Sequence, residues 1–292
     1  MRLIKKTLLF AFVFVFTFSF SGFSVQARAH TDDDVLKPTV MILADAYEVD
    51  SFLVSIGVPE AILCAIPEMQ RQMIFESLQY TNAVFASYGL TTFVEAEDGE
   101  MVAISDMSIR YDDVFVPFIG TIPNGDLTLS IAAFRLGTGV NGWPRYQFFP
   151  SFVWNRNATL TGGVGNDAFA VVLNGHDWEV DFTTPRNLRL VSHVNNNITF
   201  TSNLGPDTPC FNGVIFRMPR NTNQSNLLSE GHAGFVALRR SNVAHTAVIM
   251  EYIHDASVSP LSVSFSVSLG VFSVSVSSSS SALRRMHRSL HL

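Results

Sequence analysis

Apolar residues between positions 49 and 78 recur with the period of a helix. Val49, Phe52, Leu53 and Ile56 hold the i, i+3, i+4, i+7 spacing of one helical face. Gly57 suits a stop, and Pro59 and Pro67 suit the first turns of two more short helices, with Glu60 and Glu68 near their positive ends. Ile62, Leu63, Ile66, Met69, Met73, Ile74 and Leu78 continue the stripe. Helices this short have to dock on another surface. From about Thr91 the pattern changes to strands and tight turns. MVAISD, DLTLSIAAF, YQFFPSFVW, AFAVVL, WEVDF, LRLVSHV, ITFTS, GVIFRM, GFVALRR and HTAVIMEYI are rich in β-formers, and DG or NG pairs at 98–99, 124–125 and 174–175 mark hairpin turns. Pro150, inside YQFFPSFVW, predicts an edge strand or a bulge. The fold class that follows is mainly β, antiparallel and sandwich-like, with a small N-terminal α-helical segment.

The most regular alternation comes late. Leu261, Val263, Phe265, Val267, Leu269 and Val271 are apolar at odd positions, after which Phe272, Val274 and Val276 are apolar at even ones. That change of phase predicts a hairpin turn or a bulge near Gly270. No charged residue occurs between Ala256 and Leu283, so the stretch has to be paired, covered or placed in lipid. A membrane stem needs an apolar band ~25 Å tall. The second strand offers only three large apolar residues before serine takes over, and the chain stops soon afterwards. Final strands buried within the β-body are therefore the expectation. In the tail ALRRMHRSLHL, Leu283, Met286 and Leu290 share a helical face, which reads as a docked last turn or a frayed basic end.

At the other end, Arg2, Lys5 and Lys6 precede the apolar run Leu8–Phe20, and VQA and ARA offer small-residue cleavage sites. The chain thus divides into a signal peptide (1–29), a helical segment (30–90), a β-rich body (91–281) and a basic tail (282–292). Cleavage would remove four of the 19 Lys and Arg and no acid, taking the net charge from −6 to −10. That balance leaves no electrostatic footprint for nucleic-acid binding. It would also leave Lys37 as the sole lysine beside 14 arginines, a composition suited to high external pH because guanidinium keeps its charge where ammonium loses it.

No GxSxG, HExxH, P-loop or paired CxxC is present. Trp143, Tyr146, Trp154 and Trp178 could form an aromatic platform for a carbohydrate-like ligand, with His176 beside it. Asp177, Glu179 and Asp181 would project together from one strand face, where they would repel unless solvated or holding Ca²⁺; otherwise no cofactor is implied. His176–Asp181 together with His254 and Asp255 form the best concentration of ionisable groups for a hydrolytic site. His232, between glycines, reads as a hairpin start. Cys64 and Cys210 can be bridged in an oxidising compartment, or Cys64 can pack as a small hydrophobe in AILCAI.

Three stretches, GVPEAILCAIP (57–67), FPSFVW (149–154) and EYIHD with the serine–valine strand after it (251–276), together resemble a group of exported, uncharacterised proteins of Gram-positive bacteria, helical in front and β-rich behind. The resemblance implies export and a shared fold and brings no catalytic residues. The first function reading is an exported, non-enzymatic extracellular or cell-envelope protein that binds a partner or ligand through its β-body loops. The alternatives are a membrane-active protein using 261–276 and a hydrolase with a carboxylate/histidine site.

Overall fold

The helical period resolves into α1 (Ala46–Ser55), α2 (Glu60–Leu63) and α3 (Glu68–Leu78) in a computed structural model of the chain. Asp45 caps α1 by accepting from the Tyr47 and Glu48 amides at 2.8 and 3.4 Å. Gly57 ends it at φ +94°, where a side chain would be strained. Pro59 and Pro67 stand just before α2 and α3, where no amide hydrogen is needed. The structure describes residues 44–97, 100–110, 126–139, 141–154, 167–194, 197–206, 208–210, 212–218, 228–240, 247–255, 264–267, 274–277 and 283–292. The expected signal peptide and the expected turns at 98–99, 124–125 and 195–196 lie outside them.

Two large antiparallel sheets follow. The first runs β2 (Met101–Arg110), β1 (Val84–Glu95), β3 (Leu127–Thr138), β4 (Pro144–Trp154), β11 (Leu228–Arg239), β7 (Asn187–Val194), β8 (Asn197–Leu204), with β6 (Trp178–Val180) also on β11. The second runs β15 (Leu283–His291), β12 (Ala247–Asp255), β5 (Asp167–Leu173), β10 (Gly213–Met218), β9 (Thr208–Cys210). Leu129, Ile131, Phe148, Phe152 and Phe235 of the first sheet meet Phe169, Val171, Phe216, Met250 and Tyr252 of the second, which makes the sandwich core. The other face of the first sheet, with Phe85, Leu90, Ala132, Phe134 and Phe149, receives Leu53, Ile62, Ile74 and Leu78 from the helices. The layers are helices, first sheet, second sheet. The mainly β, sandwich-like class with an N-terminal helical segment holds.

Three expectations need correction. The β-rich part begins at Val84, not Thr91, because Phe85, Tyr88 and Leu90 of β1 face the helices and blur into their apolar stripe. Pro150 lies in the central strand β4, paired with Ile131 of β3. On its other side the registered pairs of β4 and β11 skip Phe149 and Pro150, and the Phe149 carbonyl accepts from Gln70 Nε2 of α3 at 2.5 Å. A helix side chain thus supplies a donor to a strand carbonyl next to the interruption of the ladder. The tail 282–292 is neither helical nor frayed: β15 pairs with β12 at nine registered positions, from Asp255↔Leu283 to Ala247↔His291. Met286, Leu290 and Leu292 face inward at period two, and Arg288 breaks the apolar sequence.

Arg288 explains why a charge can stand there. Only 6% exposed, it donates through Nη1 to Asp106 and through Nη2 to the Met107 carbonyl of β2 at 2.7 Å. Gly89 of β1 makes the room, since a Cβ there would lie 2.9 Å from the guanidinium. The edge strands of the two sheets are clipped together by this contact. Asp106, whose side chain is 66% exposed, also accepts from Thr91 Oγ1 at 3.0 Å. Losing the exposed partner strands the buried one, so the two deletions are unequal. Asp106→Ala is expected to cost about 3 kcal/mol and Arg288→Met about 1 kcal/mol or less, read as urea-unfolding free energies. Equal costs would contradict the clip.

Candidate functional site

The proposed aromatic platform does not form. Tyr146 lies on the inward-facing register of β4 and Trp178 on β6, both in the core, with ring centroids 5.3 Å apart in an edge-on contact. Trp154 is likewise buried, beside Tyr252. Trp143 alone of the group stays partly accessible, with the Arg240 guanidinium 5.5 Å from its ring centroid. His176 is exposed in the turn Asn174–Asp177, its amide donating to Asn174 Oδ1 at 3.1 Å. That turn joins β5 to β6, which lie in different sheets, so the Asn-Gly pair marks a turn between the sheets and not the expected hairpin.

The carboxylates do not share a strand face either, because β6 is only three residues long. Asp177, in the turn, accepts from Asn174 Nδ2 at 2.7 Å. Glu179 takes Arg240. Asp181 takes Thr183 Oγ1 at 2.6 Å, the Thr183 amide at 3.0 Å and Arg145 at 3.3 Å. Each has its own donor, and among the described residues no three His, Cys, Asp or Glu are grouped as a metal site. The composite hydrolytic site is also separated: the turn holding His176 follows Leu173 at one end of β5, while His254 lies beyond Ile253↔Ala168 at the other.

Cys64 is a free, exposed thiol whose Sγ points to the Ala61 carbonyl at 3.8 Å. It lies in the helical layer, and Cys210 belongs to β9 across the first sheet, so the two are not bridged. Nor is Cys64 packed in the apolar stripe, which Ile62 and Ile66 occupy.

Two buried polar groupings escaped the sequence reading. His232 sits in the interior of β11, not at a hairpin start, and is 0% exposed. Its Nδ1 is 2.9 Å from Ser151 Oγ, and its Nε2 is 3.0 Å from Glu230. Beside it Ser130 donates to Gln70 at 3.0 Å, and Arg189 binds Glu76 of α3 at 2.8 Å. Cross-strand register places Ser130, Ser151, His232 and Arg189 in one row. A serine–histidine–glutamate chain resembles catalytic machinery in composition, but Ser151 and His232 are sealed from solvent between strand ladder and helices. Its described role is to satisfy polar groups where both faces of a sheet are covered.

The second grouping stands at the far end of the sandwich. Asp167 accepts from the Tyr252 hydroxyl at 2.6 Å and pairs with His254 Nδ1 at 3.0 Å, leaving His254 Nε2 buried without a hydrogen-bond partner. One residue further on, at Asp255, β12 ends and the uncharged stretch begins.

Within that stretch β13 (Ser264–Val267) and β14 (Val274–Ser277) form a ribbon. Among the described residues it pairs with neither large sheet. The expectation of final strands within the β-body is corrected in that respect. The register is Ser264↔Ser277, Phe265↔Val276, Ser266↔Ser275, Val267↔Val274. Directly opposed residues share a face, so Phe265, Val267, Val274 and Val276 fall on one face and four serines on the other. Odd positions pair with even ones, which is why the apolar phase has to change between the strands. The ribbon is held at both ends, by β12 before it and β15 after it, which are neighbours in the second sheet. No helix among the described residues is long and apolar enough to cross a membrane.

No protein-family model matches the chain, and no curated protein matches its sequence. Among solved structures it is similar to one titled "Pore forming protein", with a TM-score of 0.30 and 6% identity over 69% of this chain and 93% of that one. It is also similar to Clostridium perfringens delta-toxin, with a TM-score of 0.32 and 6% identity over 72% and 88% of the respective chains. Scores at this level do not establish a common fold.

Acid titration offers a check on the site around Asp181. Burial pushes its carboxyl up, but the Thr183 and Arg145 hydrogen bonds outweigh burial and hold it below the usual range. Its stabilisation is whole above pH ~4 and is lost as pH falls through the lower folded value. Asp181→Asn is expected to lower stability at neutral pH and flatten the acid limb below pH ~4 in unfolding measurements. An acid limb as steep as the parent's would refute this assignment.

Proposed function

We propose that the protein is exported and acts on membranes without catalysing a reaction, by insertion of the β13–β14 ribbon. The observation that carries this reading is the ribbon's register, with four apolar residues on one face and four serines on the other. A membrane-spanning hairpin needs that division, an apolar face for lipid and a polar face for a water-filled lumen. The absence of charge from 256 to 283 removes the main cost of entering the bilayer. Nine residues from Leu261 to Leu269 would span roughly 30 Å as a strand, against an apolar band of ~25 Å. The shorter run Phe272–Val276 covers less, and an isolated hairpin would leave backbone groups unpaired in lipid, so the inserted form has to close with ribbons of further copies.

Tethering supports the same reading. Of the two sequence arguments against a stem, the short apolar run of the second strand stands, while the lack of a second tether is met by β15, a nine-residue anchor with its own buried clip. The ribbon can therefore change position while the sandwich stays folded. Export is supported by the basic, apolar and small-residue pattern of residues 1–29.

Release of a trapped dye from anionic and neutral phospholipid vesicles tests the proposal. The purified protein is expected to cause leakage. The pair Phe265→Arg with Val276→Arg should reduce it at least about tenfold, because a charge on a lipid face costs about 2–4 kcal/mol at mid-bilayer. Circular dichroism of the variant should match the parent. No leakage by the parent with either lipid, or equal leakage by the variant, would overturn the reading.

A further inference from the structure

The outer face of the second sheet is apolar and covered, although neither core accounts for it. Along β5 the residues alternate: Phe169, Val171 and Leu173 point into the sandwich, leaving Ala168, Ala170 and Val172 on the opposite face. These three are 0% exposed, and Ile215 of β10 and Ile253 of β12 on the same face are 1% exposed. Register makes them neighbours: Ala168 is opposite Ile253, and Ala170 is opposite Ile215. Glu251, opposite Ala170, shares the face and is also buried. None of the five apolar residues belongs to the cluster between the sheets or to the cluster under the helices.

Something of this chain therefore lies on that face. The helices and the first sheet are on the other side of the second sheet. Among the described elements only the ribbon remains. It has an apolar face of matching character in Phe265, Val267, Val274 and Val276, and it issues from β12 and β15, strands of this very sheet. β12, which precedes it in the chain, is the neighbour of β5 in that sheet. We propose that the ribbon is stowed in this way, its apolar face on the bed of Ala168, Ala170, Val172, Ile215 and Ile253, and its serine face outward. Stowage lets an uncharged two-stranded segment coexist with water, and it stands whether or not the ribbon enters lipid.

Maleimide labelling of an Ala170→Cys variant, resolved by peptide mass spectrometry so that Cys64 reports separately, tests the placement. In the otherwise unaltered chain the thiol introduced at position 170 should label far more slowly than the exposed Cys64. Adding Phe265→Arg with Val276→Arg should speed labelling of the introduced thiol at least about tenfold, as a local opening rather than global unfolding. An Ala133→Cys variant, between the sheets, should stay protected in both backgrounds. Equal protection at position 170 with and without the ribbon changes would assign the cover to another segment, and fast labelling there in the single variant would show no cover; either overturns stowage. Should Ala170→Cys fail to fold, hydroxyl-radical footprinting of Ile215 and Ile253 in the parent and the ribbon variant gives the same decision. Ribbon-dependent labelling without dye release would leave stowage standing and remove the membrane reading, and dye release without it would do the reverse.

Discussion

The first sheet is buried on both faces, and most of the architecture answers to that constraint. Helices cover one side and the second sheet the other, so β3, β4 and β11 have to be apolar at nearly every position or else pair each polar group internally. The row Ser130, Ser151, His232 and Arg189 runs across these strands and on to β7 beneath α3. Gln70 and Glu76 of that helix meet two of its members, and Glu230 meets a third. The helical layer thus supplies hydrogen-bond partners as well as apolar cover. Gln70 is the clearest case, since it accepts from Ser130 and also donates to the Phe149 carbonyl inside the central strand β4. A helix deleted here would expose apolar surface and orphan polar atoms together.

The ribbon obeys the opposite rule. It has one apolar and one serine face and no ladder to either sheet among the described residues, so its environment is set by its greasy side rather than by strand pairing. Stowage on the second sheet and entry into lipid are two solutions to the same problem. They involve the same four residues and exclude one another. Of the two, only stowage also keeps Ala168, Ala170, Val172, Ile215 and Ile253 from water. The root stays constant, with Asp167 binding Tyr252 and His254 just before the ribbon and Arg288 clipping the strand after it.

Local patterns were readable from sequence where one periodicity dominated. Helix ends at Gly57, Pro59 and Pro67 and the change of apolar phase near Gly270 correspond to observed features, as does a turn, though not a hairpin, at Asn174-Gly175, because each depends on chemistry within a few residues. What failed depended on contacts distant in sequence. Arg288 hid a strand because its partners lie in β2. Tyr146 and Trp178 looked available for a ligand because nothing local says which way an aromatic on a strand points. The carboxylates at 177, 179 and 181 looked like a cluster until β6 proved three residues long and Arg145 and Arg240 took two of them. His232 had no signal at all, since Ser151 reaches it from 81 residues away.

The placement of β15 has a consequence for biosynthesis. Its clip joins Arg288 to residues 181 and 182 positions upstream, and Leu292 itself is packed in the core. A nascent chain cannot complete the second sheet until residues 283–292 emerge, by which time the greasy ribbon before them has already been made. In that interval the apolar residues of the ribbon have been made but the second sheet is unfinished, and the risk of aggregation is greatest.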